Sequence, residues 1–127
     1  MVKLVNLFGA IVLSLAVGTA FALEVRPYSP EYFAAAQAAG KPVALHFHAD
    51  WCPVCRAQEN VFDSLEKDKE FAMTLLVVDY DNEKELKRKL KVRSQSTVIV
   101  YRGKVEKARL AGESSPDKIK AALRSAL

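Results

Sequence analysis

The sequence predicts an α/β domain in which a central mixed sheet carries helices on both faces. Two observations lead to this fold class. Short apolar strands alternate with helical segments along the chain, and two further strands flank Arg102-Gly103 as a hairpin. Helices between the first three strands predict crossovers and parallel neighbours, whereas the hairpin predicts an antiparallel edge. The 127 residues are enough for one domain.

Three elements are predicted before the middle of the chain. A serine N-cap followed by proline, Ser29-Pro30, begins the first helix, and Gly40 ends it. Alternating apolar residues predict the first strand, and apolar residues at helical spacing predict the second helix. These elements cover residues 31–39, 43–49 and 53–69.

Five elements follow. A leucine- and valine-rich run without polar alternation predicts a central strand buried on both faces. A charged segment predicts a solvent-exposed helix, and a second Ser-Pro pair, Ser115-Pro116, begins the last helix after the hairpin. In order, the five elements cover residues 74–80, 82–90, 97–101, 105–110 and 116–127.

The first 22 residues have the pattern of a secretory signal peptide. Lys3 is their one charge, an apolar run follows, and Ala20-Phe21-Ala22 has the small-x-small pattern of a cleavage site. We therefore expect cleavage after Ala22, a periplasmic or otherwise exported protein, and a folded domain over residues 23–127. The alternative is an uncleaved membrane anchor, because residues 4–23 carry no charge and are long enough to span a bilayer.

The charge pattern argues against nucleic acid as a partner. The net charge is +4, but acidic and basic residues are mixed along the chain. The most basic stretch, residues 84–93, has the pattern of a solvated helix face and lacks interleaved aromatic residues for base stacking. We expect a monomer whose partners are other proteins.

Cys52 and Cys55 are the strongest functional signal. A disulfide across two intervening residues closes a loop too short to stabilise the fold much, so redox chemistry or metal binding must explain the pair. Cys52 stands where a strand ends and a helix begins, and there free N–H groups and the helix dipole stabilise a thiolate. Cys55, one turn later, can attack a mixed disulfide formed at Cys52. The sequence contains neither a second C-x-x-C nor a downstream histidine pair, which favours a redox dithiol without a metal or other cofactor.

The segment Ala49-Asp50-Trp51-Cys52-Pro53-Val54-Cys55 resembles the active-site motif of thioredoxins. With Gly40-Lys41-Pro42-Val43 before it and Arg56, Glu59 and Phe62 after it, the segment is similar to the C-terminal periplasmic domain of DsbD-type thiol:disulfide interchange proteins. The resemblance covers about residues 30–125. It implies a thioredoxin fold, Cys52 as the attacking thiolate and Cys55 as the buried resolving thiol. It also implies protein thiols and disulfides as partners and a membrane electron donor of DsbD type.

Three positions depart from that family's pattern. His46 replaces an acidic residue six positions before the first cysteine, and we predict that it accepts a proton from the dithiol, with a core histidine as the alternative. His48 stands where thioredoxins usually carry an aromatic residue. Ser96 replaces a cis-proline, so we expect a trans Gln95–Ser96 bond.

The remaining predicted site residues surround the cysteines. In the family, the loop that corresponds to Gln95, Ser96 and Thr97 presents its backbone to the substrate, which assigns these three residues to substrate binding. We predict Trp51 as a flat apolar contact for partner proteins and Asp50 as the helix cap.

We therefore predict an exported thiol-disulfide oxidoreductase that reduces or exchanges disulfides of extracytoplasmic proteins. A second function stays open. Cys52 and Cys55, with His46 and His48, are soft ligands suited to Cu(I) or Zn(II), as a periplasmic metal carrier would use.

Overall fold

Five strands form one mixed sheet with two α-helices on each face, in a computed structural model that describes residues 22–127. The predicted signal peptide lies outside the described residues except for Ala22 at its end. In chain order the elements are β1 (Glu24–Pro27), α1 (Pro30–Ala38), β2 (Pro42–His48), α2 (Pro53–Leu65), a 3-10 helix (Lys69–Phe71), β3 (Thr74–Asp79), α3 (Lys84–Leu90), β4 (Thr97–Arg102), β5 (Val105–Ala111) and α4 (Pro116–Arg124). Within residues 22–127, no helix is long and apolar enough to cross a membrane.

The strand order is β1-β3-β2-β4-β5. Strand β3 is parallel to both of its neighbours, β1 and β2, while β4 is antiparallel to β2 and β5 is antiparallel to β4. The predicted mixed sheet and hairpin are confirmed. The expected parallel direction of the strand at 97–101 is wrong, because α3 does not carry the chain back along the sheet. With seven residues, α3 spans only about 10 Å, so β4 begins at the end of the sheet where β3 finishes.

Strand β1 is not predicted by the sequence. Its four residues include two charges and a proline, a composition typical of an edge strand rather than a buried one. Pairing with β3 places β1 at the edge of the sheet. Leu23, just before it, is buried in the core, and its N–H lies 3.3 Å from the carbonyl oxygen of Leu65 at the end of α2.

Two helices end earlier than expected. Helix α2 stops at Leu65 instead of Lys69, because Asp68 caps a separate 3-10 helix that brings Phe71 into the core. Helix α4 ends at Arg124 rather than at Leu127. The two predicted Ser-Pro starts are confirmed, since the side chains of Ser29 and Ser115 accept backbone hydrogen bonds as N-caps.

Strand β2 lies at the centre of the sheet and sends side chains to both faces. Val43, Leu45 and Phe47 pack in the core that α1 and α3 cover, whereas Ala44 packs in the core that α2 and α4 cover. His46 belongs to this second face, because its ring lies edge-on to Phe62 of α2, with ring centroids 5.0 Å apart. The predicted alternation therefore places His46 beneath the helix that begins at the cysteines.

Gly103, in the turn between β4 and β5, yields a test of the packing between this turn and the end of α1. Its φ is +58°, and a Cβ there would lie 3.1 Å from the Cα of Gly40. Since a left-handed residue other than glycine costs about 1–2 kcal/mol, we expect Gly103→Ala to lower the free energy of unfolding by about 2 kcal/mol or more.

Gly112→Ala is the matched control for this urea-denaturation measurement. Gly112 has a φ of +69° and no atom within 4 Å of the added Cβ. The free energy of unfolding of Gly112→Ala should therefore fall only by the conformational cost, about 1 kcal/mol. Equal losses in the two variants would show that the contact with Gly40 contributes nothing.

Candidate active site

The two cysteines form a disulfide at the start of α2, with their Cα atoms 5.3 Å apart. Cys52 is the N-cap of this helix, and its Sγ accepts a hydrogen bond from the backbone N–H of Cys55 at 3.1 Å. The same N–H group would stabilise a Cys52 thiolate after reduction. Cys52 and Cys55 are both buried and pack with Ala49, Val54 and Tyr80.

The prediction that Asp50 caps the helix is wrong. Asp50 is exposed, and the cap position belongs to Cys52, whose own sulfur reaches the free N–H. The backbone carbonyl of Asp50 instead accepts a hydrogen bond from the guanidinium of Arg56 at 3.1 Å. This contact ties the loop before Cys52 to the first turn of α2.

His46 and Gln58 form a buried polar pair under the helix. The Nε2 atom of His46 lies 2.8 Å from the amide oxygen of Gln58. The Gln58 amide nitrogen donates to the carbonyl oxygens of Ser96 and Glu113, both at 2.9 Å. Since only the NH₂ group can donate to two carbonyls, the amide oxygen must accept from His46, and the His46 proton is therefore on Nε2.

Burial keeps the His46 ring neutral at pH 7. It lowers the pKa of His46 to about 4, with His48 contributing in the same direction and the hydrogen bond to Gln58 opposing them. Within residues 22–127, Nδ1 of His46 has no hydrogen-bond partner. The ring thus has one free lone pair but is a weak base, and the proposed proton-acceptor role of His46 stays a prediction.

His48 lies next to His46 on the same face, with ring centroids 5.7 Å apart. Its Nε2 is 2.7 Å from a carboxylate oxygen of Glu59, and its Nδ1 is 3.8 Å from one of Asp50. Carboxylates on α2 and on the loop before Cys52 therefore flank this half-buried ring. In the part of the chain that the structure describes, no group of three or more His, Cys, Asp or Glu side chains is arranged to hold a metal ion.

Trp51 stands on the surface beside the disulfide. Its side chain is 57% exposed, and its indole N–H donates to Asp81 at 3.0 Å. Trp51 and Asp81 border a groove of about 380 Å³, which His48 and Asp79 also line at the ends of β2 and β3. The hydrogen bond holds the indole in one place, which is consistent with the predicted contact for partner proteins.

Ser96, in the loop before β4, has a left-handed conformation, with a φ of +58°. None of the peptide bonds in residues 22–127 is cis, so the expected trans Gln95–Ser96 bond is confirmed. The N–H of Ser96 donates to the carbonyl of Phe47 at 2.8 Å, and its carbonyl accepts from Gln58 and from the N–H of Gly112. Because Ser96 and Thr97 are buried, Gln95 is the most exposed of the three predicted substrate contacts.

Gln58 is the site residue that the sequence analysis misses. It lies on the buried stripe of α2 with Cys55, Val61, Phe62 and Leu65. A polar residue on an otherwise apolar helix stripe is the signal that identifies it, because a buried amide needs hydrogen-bond partners.

The sequence model of the thioredoxin family matches residues 24–125. The chain belongs to the thioredoxin family. Among solved structures, it is similar to Trxlp from Edwardsiella tarda, with a TM-score of 0.74 and 38% identity over 79% of this chain and 98% of that one. It is 34% identical over 80 residues to thioredoxin-1 of Drosophila yakuba, covering 63% of this chain and 72% of that protein.

A third relative is thioredoxin 2 of Plasmodium falciparum, which is 37% identical over 67 residues, or 53% of this chain. The matched region spans only 43% of that protein's length. Residues 24–125 are therefore a thioredoxin domain that carries a disulfide between Cys52 and Cys55.

The low pKa of His46 predicts a specific pH dependence of stability. Between pH 6.5 and about 4 the unfolded chain binds a proton at this residue that the folded chain does not, so His46 should cost stability as pH falls through that interval. At about 1.4 kcal/mol for each pKa unit, the loss approaches about 3 kcal/mol at pH 4.

Urea denaturation at pH 7 and pH 4 measures this effect. Between pH 7 and pH 4, the free energy of unfolding should fall by about 3 kcal/mol more in the wild type than in the His46→Leu variant. The contribution of the carboxylates cancels in this comparison, because they titrate in both proteins. The His48→Asn variant, which retains His46, should lose nearly as much as the wild type. Equal losses in wild type and His46→Leu would mean that His46 is not held neutral by burial.

Proposed function

We propose that this protein is an exported thiol-disulfide oxidoreductase that reduces or exchanges disulfides of extracytoplasmic proteins. The observation that carries the redox activity is the Cys52–Cys55 disulfide at the N-terminus of α2. Free N–H groups at a helix N-terminus stabilise a thiolate, which is the form that attacks disulfides.

The reaction passes two electrons from the reduced dithiol to the target. The Cys52 thiolate attacks one sulfur of the target disulfide, a mixed disulfide forms, and the other target sulfur leaves as a thiolate that takes up a proton. Cys55 then loses its proton and attacks the sulfur of Cys52. This step restores the Cys52–Cys55 disulfide and releases the second target thiol.

Export and an electron donor of DsbD type belong to the same proposal. The pattern of residues 1–22 supports export, and Leu23, directly after the predicted cleavage site, packs in the buried core that α2 and α4 cover. Outside the cytoplasm a dithiol becomes oxidised unless a reductant supplies electrons. The motif's similarity to the DsbD periplasmic domain supports a membrane protein as that reductant. N-terminal sequencing of the exported protein tests the cleavage, since the mature chain would begin at Leu23.

The metal-carrier alternative finds no specific support in the site. The two sulfurs are joined to each other, and the Nε2 atoms of His46 and His48 contact Gln58 and Glu59. A four-coordinate zinc site would need all four groups free and convergent. We therefore do not propose it as a second function.

Variants of the two cysteines test the redox proposal in a protein-disulfide reduction assay, with insulin as substrate and dithiothreitol as electron source. Cys52→Ser should reduce turnover at least about 100-fold, because the attacking thiolate is gone. Cys55→Ser should accumulate a mixed disulfide that mass spectrometry detects, because resolution is lost. Ser125→Ala, at the end of α4, serves as control. Absence of turnover in the wild type, or full turnover in Cys52→Ser, contradicts the proposal.

The reduction potential of the pair tests the direction of electron flow. We expect a value close to that of thioredoxin, about −270 mV, rather than the value of about −120 mV of a strong oxidant. Equilibration of the protein with glutathione redox buffers, followed by thiol trapping, measures it. A potential near the oxidising value would reverse the assigned direction and leave exchange chemistry intact.

A further inference from the structure

Gln58 connects the dithiol helix to the loop that precedes β4. We propose that Gln58 is a positioning residue for the reaction with protein disulfides: from inside α2 it holds residues 94–96 in the shape that a protein substrate meets beside the cysteines. The inference rests on the proposed reduction of protein disulfides.

The first step of the argument is the complete burial of Gln58. Its side chain has no exposed surface, and all its hydrogen-bonding capacity is directed within the protein. The amide accepts from His46 and donates to the carbonyls of Ser96 and Glu113. An apolar side chain of similar length would suit the rest of the α2 stripe without these partners. The amide is therefore explained by the two loops that it joins to the helix.

The second step is the conformation of Ser96. Its φ of +58° lies in the left-handed region, which residues other than glycine seldom adopt. Three hydrogen bonds to its backbone hold it there: its N–H donates to Phe47, and its carbonyl accepts from Gln58 and from Gly112. Of these three, the contact with Gln58 alone involves a side chain, so a substitution can remove it while the backbone stays unchanged.

The third step connects this loop to the reacting sulfurs. The carbonyl oxygen of Phe47 accepts the N–H of Ser96 at 2.8 Å and also lies 3.9 Å from the Sγ of Cys55. Ser96 and the resolving cysteine thus share one backbone group as a neighbour. Ser94 and Gln95, immediately before Ser96, are half-buried and form the accessible part of the segment. A shift of Ser96 would therefore change the surface next to the disulfide.

The test separates protein disulfides from small ones. A protein substrate meets the loop as well as the sulfurs, whereas hydroxyethyl disulfide presents little beyond its sulfur atoms. In Gln58→Met we expect kcat/KM for insulin to fall at least 10-fold, mainly through a higher KM, and kcat/KM for hydroxyethyl disulfide to stay within twofold. The matched control is Gln37→Met on α1, whose side chain has no part in the site; it should leave both activities at wild-type values.

Ser96→Val tests the same loop from its other side and keeps the proposal open to refutation if Gln58→Met fails to fold. A β-branched residue resists the left-handed conformation, so this variant should show the same selective loss with insulin. Because glycine tolerates a positive φ, kcat/KM for insulin should fall less in Ser96→Gly than in Ser96→Val. In the Gln58→Met/Ser96→Val double variant, the fold-decrease in kcat/KM for insulin should be smaller than the product of the two single decreases, because both substitutions release the same loop.

The outcomes are distinct. If kcat/KM of the variants falls equally for insulin and for hydroxyethyl disulfide, or falls for neither, Gln58 has no positioning role. A wild-type protein that reduces hydroxyethyl disulfide but not insulin refutes the proposed function itself. A wild-type protein active on both, with variants that match it, refutes only the inference about Gln58.

Discussion

The buried amide of Gln58 is the interaction on which the arrangement of the active site depends. One side chain satisfies carbonyl groups from the loops before β4 and before α4, and it fixes the proton of His46 on Nε2. Strand β2, helix α2 and two loops from the second half of the chain therefore meet at a single group. Buried polar networks of this kind specify one arrangement, because each unmet hydrogen bond in an apolar surrounding is costly.

Local signals in the sequence predict most of the fold. The caps at Ser29 and Ser115 and the alternation along β2 are confirmed because each depends on residues that are close in the chain. Strand β1 depends on a distant partner, because its residues have little apolar pattern and pair with β3. The direction of β4 follows from how far α3 carries the chain, and the alternation of helices and strands in the sequence does not give that distance.

The candidate site divides in the same way. The cysteine pair and the shared face of His46 and His48 follow from spacing alone, since side chains alternate along a strand. The contact of Trp51 with Asp81 joins residues 30 positions apart, and that of Gln58 with Glu113 joins residues 55 positions apart. Such pairs emerge only when the sheet is assembled. The cap is a local feature that sequence reasoning assigns wrongly, because cysteine is not among the usual capping residues and here takes the place of Asp50.

The position of Leu23 gives the domain a polarity. Its backbone contacts Leu65 at the last residue of α2, whereas the cysteines occupy the first turn of that helix, about 20 Å away along its axis. Whatever precedes Ala22 is therefore joined to the domain at the pole opposite the disulfide. A tether at that pole, to a membrane or to another domain, would leave the end of the domain that carries Cys52 and Cys55 facing away from the attachment point and accessible to partner proteins.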